Sequence, residues 1–338
     1  MALPTVLLGD IGGTHSRLEL LGARDGEWQL MHEQTYRSEI FAGFDALIDD
    51  FYGLEPVKPV APRIEAACFS VAGPVEGRAS TLTNLNWTID AAAISARLAI
   101  PDVLLVNDFA AVGHGIAELG EHDLLTLQRG VARPNGTRVV VGAGTGLGVC
   151  MLTRQRDGYA VHPSEGGHTD FAPTNDAQDI LLANLRQAFG RVSYERLVSG
   201  PGLLRIFSVL ENGGAGQLSK QLRDAMQRGD ASAAISEFAI NKADPLAVHA
   251  LDLFVDIYGA FAGNMALAML ARGGVYLAGG IARQIAHKLG DGSFVHAFTH
   301  KGRFSDVLRR YPLHIVTDPK VGLKGAARLL RKELRLDR

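Results

Sequence analysis

Apolar and polar positions first alternate in short runs at residues 5–8, 17–21 and 28–36. Too little chain separates these runs for a helix, so they predict an antiparallel meander rather than a strand–helix–strand unit. Phe41, Phe44, Leu47, Ile48 and Phe51 then recur at helical spacing, which predicts an amphipathic helix. Apolar runs at residues 65–71 and 102–106 read as buried strands, the second leading into a helical stretch over 109–119. Beyond a turn at Pro134, Asn135 and Gly136, the opening pattern returns as a strand at 138–141, a glycine turn and a strand at 147–153. The rest reads as mainly helical, over 177–189, 203–210 and 246–272. Late strands follow at 275–278 and 313–317, with a helix from Ile281 and a basic terminal helix over 324–334. Strand, glycine turn, strand, occurring twice, predicts two related α/β domains facing a cleft.

Size agrees, because 338 residues exceed the usual single domain. Lys and Arg number 34 against 36 Asp and Glu, a formal net charge of −2. That balance gives no electrostatic reason to expect a nucleic acid or an anionic membrane as partner. Two cysteines, Cys68 and Cys150, cannot build a disulfide framework or a four-thiolate zinc site. The longest apolar stretch, 261–271, contains Asn264 and falls short of the roughly 20 residues that span a bilayer. A soluble, cytoplasmic protein is expected.

The two glycine turns, Gly9-Asp10-Ile11-Gly12-Gly13-Thr14 and Gly142-Ala143-Gly144-Thr145-Gly146, change this picture. Such hairpins present backbone N–H groups with no side chains in the way, and threonine hydroxyls add donors. Two of them can hold a polyphosphate from opposite sides. Gly279-Gly280 is a third glycine step, placed where a nucleoside could approach backbone. A Walker A loop is excluded, since no Gly-Lys dipeptide occurs. A dinucleotide fingerprint counted from Gly142 and Gly144 would need a third glycine where Leu147 stands. Asp10 would repel phosphate unless a cation lay between, which points to Mg²⁺ held through water; a carboxylate bonding its own turn is the alternative.

Asn107-Asp108 directly follows a buried strand, where α/β folds place functional carboxylates. Glu165, His168 and Glu195 add acceptors and an imidazole suited to the hydroxyls of a sugar. Each has a plainer reading: Asn-Asp as a helix cap, Glu195 as a partner of Arg191 or Arg196, His168 as a structural histidine. On spacing alone the chain is a two-domain α/β phosphotransferase acting on a polar substrate.

At these residues, together with Thr83-Asn84, Trp87, Ser199-Gly200-Pro201-Gly202 and Lys301-Gly302-Arg303-Phe304, the chain resembles bacterial glucokinases of the hexokinase–actin–heat-shock-ATPase superfamily. The resemblance runs over nearly the whole length. It implies two ribonuclease-H-like (actin-like ATPase) domains around a hinged cleft: residues 1–115 with 318–338, and 116–317. It implies transfer of the γ-phosphate of ATP to the 6-hydroxyl of glucose, with Asp108 taking the proton. Asn107, Glu165, His168 and Glu195 would bind the sugar, with Gly73 and Asn84 at the mouth. Gly9, Asp10, Ile11, Gly12, Gly13, Thr14, Gly144, Thr145 and Gly146 would hold phosphates, and Gly280 would lie near the adenosine. Homodimers are common in the family. The loop 72–77 and Ser164 depart from its pattern beside the sugar.

The alternatives are a kinase for another hexose or amino sugar, a sugar-responsive regulator, and an actin-like or chaperone ATPase. The related repressor/open-reading-frame/kinase group carries a cysteine-rich zinc motif that two distant cysteines cannot supply. A regulator would need a DNA-binding appendage, yet the first strand is expected within a few residues of Met1.

Overall fold

The computed structural model describes residues 4–24, 27–82 and 85–336. Its contacts divide the chain into two compact units, 1–120 with 320–338, and 121–319.

The first unit begins with the expected meander: β1 (Thr5–Ile11), β2 (His15–Arg24) and β3 (Glu27–Arg37). Then come α1 (Phe44–Gly53), β4 (Ile64–Val71), β5 (Val75–Glu76), β6 (Ala79–Leu82), β7 (Trp87–Asp90), α2 (Ala91–Leu98), β8 (Asp102–Asn107) and α3 (Asp108–Gly115). The main sheet runs β3-β2-β1-β4-β8. β2 is antiparallel to β1, whereas β4 and then β8 continue parallel to it. Along β1, Leu7 and Ile11 point into a core with Phe44, Leu47, Phe51 and Phe69. These α1 residues fall on one helical face, which is why α1 lies on that side of the sheet.

In the second unit come β9 (Leu124–Gln128), β10 (Arg138–Ala143), β11 (Leu147–Gln155), β12 (Gly158–Ser164), α4 (Asp176–Phe189), α5 (Gly200–Asn212), α6 (Lys220–Arg228) and α7 (Ala231–Ile240). They are followed by α8 (Pro245–Ala268), β13 (Gly274–Ala278), α9 (Gly280–Gln284), α10 (Ala286–Leu289), α11 (Ser293–Thr299), α12 (Ser305–Leu308) and β14 (Leu313–Val316). The sheet runs β12-β11-β10-β13-β14-β9. Its first five strands repeat the order and directions of the first unit's sheet, and β9 adds an antiparallel edge. The predicted recurrence is therefore a whole five-strand topology, not a pair of similar turns.

α8 is long and apolar enough to cross a membrane, but 78% of its apolar window is buried inside the protein. Phe254, Tyr258 and Phe261 are fully buried there with Phe294 and Phe298, so the apolarity belongs to the core. Asp244 caps its first turn, accepting from the Leu246 and Ala247 N–H groups, and Pro245 occupies the first helical position.

The terminal helix α13 (Val321–Glu333) packs on α3 in the first unit. A Cβ at Gly325 would stand 1.7 Å from the Ala111 carbonyl oxygen, and one at Gly115 2.0 Å from that of Val321. Only hydrogen at both positions lets the two backbones meet. Lys320 anchors the helix start to buried Glu19 at 2.7 Å and to Glu33.

The sheet β5–β7, the strands β9 and β12, and the helices α2, α6 and α7 were not legible as elements. Most are short or only partly buried, so their periodicity is faint. No disulfide forms; Cys68 and Cys150 are both buried.

Candidate active site

In the first unit the predicted residues collect at the carboxyl ends of the parallel strands. Register places Asp10 beside Arg17 on β2 and Ser70 on β4, and Val71 beside Asn107 on β8. Asp10 and Asn107 are thus two strand spacings apart, roughly 10 Å. The Asp10 carboxylate reaches solvent, yet dense protein surrounds it. Lost hydration outweighs the Arg17 charge and the Ser70 hydroxyl 3.5 Å away, and holds the carboxyl above its ordinary range.

Asn107 does cap α3, as its plainer reading had it. Its side-chain oxygen accepts from the Phe109 and Ala110 N–H groups at 3.0 Å each. Its amide also donates to the Gly73 carbonyl at 3.1 Å, which ties the loop after β4 to the end of β8. Asp108 follows in the first turn of α3, one oxygen accepting from the Phe109 N–H at 2.7 Å. Cap and helix start therefore fix where this carboxylate stands. Asn84 lies outside the described residues.

The first glycine turn is shorter than the sequence predicted. β1 runs to Ile11, so Gly9, Asp10 and Ile11 belong to the strand and only Gly12, Gly13 and Thr14 make the turn. A Cβ at Gly9 would lie 2.6 Å from the Phe69 ring, and Ile11 is fully buried. Both serve core packing and backbone pairing. The turn closes through the Gly12 N–H on the His15 carbonyl at 3.0 Å. Beneath it Ser38 donates to the Gly12 carbonyl at 2.8 Å, which makes Ser16 the donor in the 2.9 Å Ser16–Ser38 contact. No sequence signal pointed to this buried serine pair.

In the second unit three distant segments meet at Leu147. Its N–H donates to a Glu195 carboxylate oxygen at 2.9 Å. A Cβ at Gly167 would sit 2.1 Å from its carbonyl oxygen, so the turn Gly166–His168 rests directly on the start of β11. Phe171 and Tyr194 bond the backbone across 169–171 and 192–194, bringing Glu195 alongside. The His168 Nε2 then lies 3.8 Å from both Glu165 and Glu195 carboxylates. The Glu165 and His168 side chains are 74% and 54% exposed, so the group faces solvent rather than a core. Two carboxylates flanking an imidazole can accept from and donate to several hydroxyls at once.

The second glycine turn, Gly144 to Gly146, adjoins this group, since a Cβ at Gly146 would meet a Glu195 oxygen at 2.6 Å. Gly144 and Gly280 differ from it: a Cβ on either would meet nothing within 4 Å. Nothing inside the protein demands glycine there. Gly279 does have an internal reason, a φ of 90° and the Ala143 carbonyl 2.6 Å from its would-be Cβ. That approach sets the start of α9 against the end of β10. The amino end of α5 also arrives here, with the Gly200 N–H donating to the Gly144 carbonyl at 2.8 Å. Ser199 caps α5 through the Gly202 N–H at 3.1 Å and donates to the Glu195 carbonyl at 2.8 Å. Ser199 and Gly200 were not among the predicted site residues, although Ser-Gly-Pro-Gly reads as a cap followed by proline in the first turn.

A family model described as Glucokinase matches residues 7–333. The glucokinase of Nostoc sp. is 41% identical over 95% of this chain and 97% of its own length. The chain belongs to the glucokinase family. Its relative in Pectobacterium atrosepticum, also a glucokinase, is 36% identical over 97% of this chain and 98% of that one. Among solved structures, a glucokinase from an Antarctic psychrotroph superposes with a TM-score of 0.79 at 30% identity, covering 98% and 99% of the two chains. That of Balamuthia mandrillaris in complex with glucose gives 0.81 at 21% identity, over 97% and 94%, and bears on the fold alone. The family's two-lobed, actin-like ATPase fold accounts for the repeated five-strand sheet.

Proposed function

We propose that this member of the glucokinase family transfers the γ-phosphoryl group of ATP to the 6-hydroxyl of glucose, giving glucose 6-phosphate and ADP. One observation carries the reading. The strand ends of a single sheet bring together a glycine turn, Asp10 and a carboxylate fixed at a helix start, Asp108.

Phosphoryl transfer has a loose transition state, so orientation of the acceptor matters more than a strong base. Asp108 orients the sugar hydroxyl and takes its proton late in the transfer. Glu165, His168 and Glu195 bind other hydroxyls, and Gly73 and Asn107 border the sugar. The segment from Gly9 to Thr14 and the turn from Gly144 to Gly146 hold phosphates, with Gly280 open to the adenosine.

Among the described residues no cluster of three or more His, Cys, Asp or Glu could hold a metal alone. A cation would share Asp10, through water, with the nucleotide's phosphates, a setting that suits Mg²⁺. When bound it would neutralise phosphate charge. A homodimer in the cytoplasm completes the reading, in line with the resemblance.

Asp108→Asn is expected to lower kcat by about 10²–10⁴-fold with a much smaller change in glucose KM. Near-normal turnover removes Asp108 from the role. Glu165→Gln and Glu195→Gln are expected to raise glucose KM more than they lower kcat, and unchanged KM in both would sink their assignment. A coupled assay over several hexoses and donors tests the choice of glucose and ATP.

A further inference from the structure

Away from these residues, the second unit contains a hollow of about 540 Å³ lined by Val131, Arg133, Arg272, Asp306, Val307, Arg310 and Tyr311. Its size falls within the range of small-molecule sites. The lining comes from three separate places: the segment before β10, the turn after α8, and the region of α12 and the chain leading into β14. Backbone bonds hold them together, with the Val131 N–H on the Arg310 carbonyl at 2.7 Å and the Arg133 N–H on the Arg272 carbonyl at 2.8 Å.

The charge in this hollow is one-sided. Among the described residues, neither a hydrogen bond nor an ion pair joins the side chain of Arg133, Arg272 or Arg310 to a carboxylate. The one acid in the lining, Asp306, is already paired with Arg309. Three arginines on one hollow, none of them bonded to a carboxylate, favour an anion there. Tyr311 lines the hollow but is 3% exposed, and its hydroxyl is shut away from it. Val131, Val307 and the tyrosine ring add apolar wall, which suits a carbon skeleton beside the charge.

The place is distinct from the proposed active site. β10, β13 and β14 run parallel, and the glycine turns follow the carboxyl ends of β10 and β13. Arg133, Arg272 and Arg310 precede the amino ends of the same three strands. Strands of this length separate the two ends by roughly 17–20 Å.

We propose that this hollow binds a small organic phosphate, its phosphate held by Arg133, Arg272 and Arg310 and its carbon skeleton set against Val131, Val307 and Tyr311. Calorimetric titration of the full chain, with glucose and ADP present to fill the active site, tests this. The probes are phosphoenolpyruvate, glycerol 3-phosphate, AMP and inorganic phosphate. At least one organic phosphate is expected to bind more tightly than inorganic phosphate. Arg272→Gln with Arg310→Gln should weaken it by at least about tenfold, the loss expected for charge-assisted bonds. Exposed Arg133→Gln, which leaves packing untouched, should weaken it less, and all variants should keep kcat and melting temperature. Failure of every probe to bind overturns the proposal, as does equal affinity in the arginine variants. Equal affinity for inorganic phosphate also overturns it. So does a change of oligomeric state in the variants, which would assign the hollow to a second copy of this chain.

Discussion

The β1–β2 and β10–β11 hairpins occupy the same place in two sheets of the same order, and each closes with three residues. Each exposes one threonine, Thr14 or Thr145. They differ in what holds them. Neutral hydroxyls, Ser38 and Ser16, support the first, and its acid, Asp10, comes from the strand itself. The second rests on a carboxylate brought from far along the chain, Glu195, and on the amino end of α5. A repeated fold thus supplies two similar glycine turns, and the side chains around each decide which partner it suits. Asp10, desolvated beyond what Arg17 and Ser70 offset, suits a cation; Glu195, held by an N–H and facing His168, suits a hydroxyl.

The largest effect that tests this contrast is expected for Asp10→Asn. Activity should fall at least about a hundredfold, because phosphate charge loses its cation. Stability should move the other way. The raised Asp10 carboxyl binds its proton more tightly in the folded than in the unfolded chain, so its ionisation opposes folding above the folded value. The variant should therefore melt slightly higher at neutral pH, by a few degrees at most. A lower melting temperature with retained activity would make Asp10 structural and erase the contrast.

A glycine pair sharpens it further. Gly9→Ala would press on Phe69 and Leu18 and should cost about 1–3 kcal/mol of stability. Gly144→Ala meets open space, so its melting temperature should hold while the nucleotide KM rises. Equal destabilisation of the two, read by thermal melts, would show that both glycines serve packing.

The smallest effect concerns the support behind Asp108. His114 lies on the same helix, α3, and burial followed by repulsion from Lys332 and Arg328 pushes its pKa down to about 4. Between the ordinary value of about 6.5 and that lower one, the unfolded chain binds the extra proton. Stability due to neutral His114 is full above pH 6.5 and fades as pH falls toward 4. His114→Gln should flatten that part of a melting-temperature profile; an unchanged slope would place the acid sensitivity elsewhere.

The sequence by itself determined the first meander, the β10–β11 hairpin, the places of the two glycine turns, the position of Asn107-Asp108 after a strand and the family. These are local matters: side-chain period, turn residues and caps act within a few positions, and their pattern shows in the order of residues. Tertiary structure alone decided that Gly9 fills a core position while Gly144 faces open space, two glycines that read alike along the chain. It also decided that Glu195 reaches the N–H of Leu147, and that Arg133, Arg272 and Arg310 surround one hollow. Contacts between segments so far apart leave no periodicity behind them, because the strand order that creates them is fixed by the packing of whole sheets.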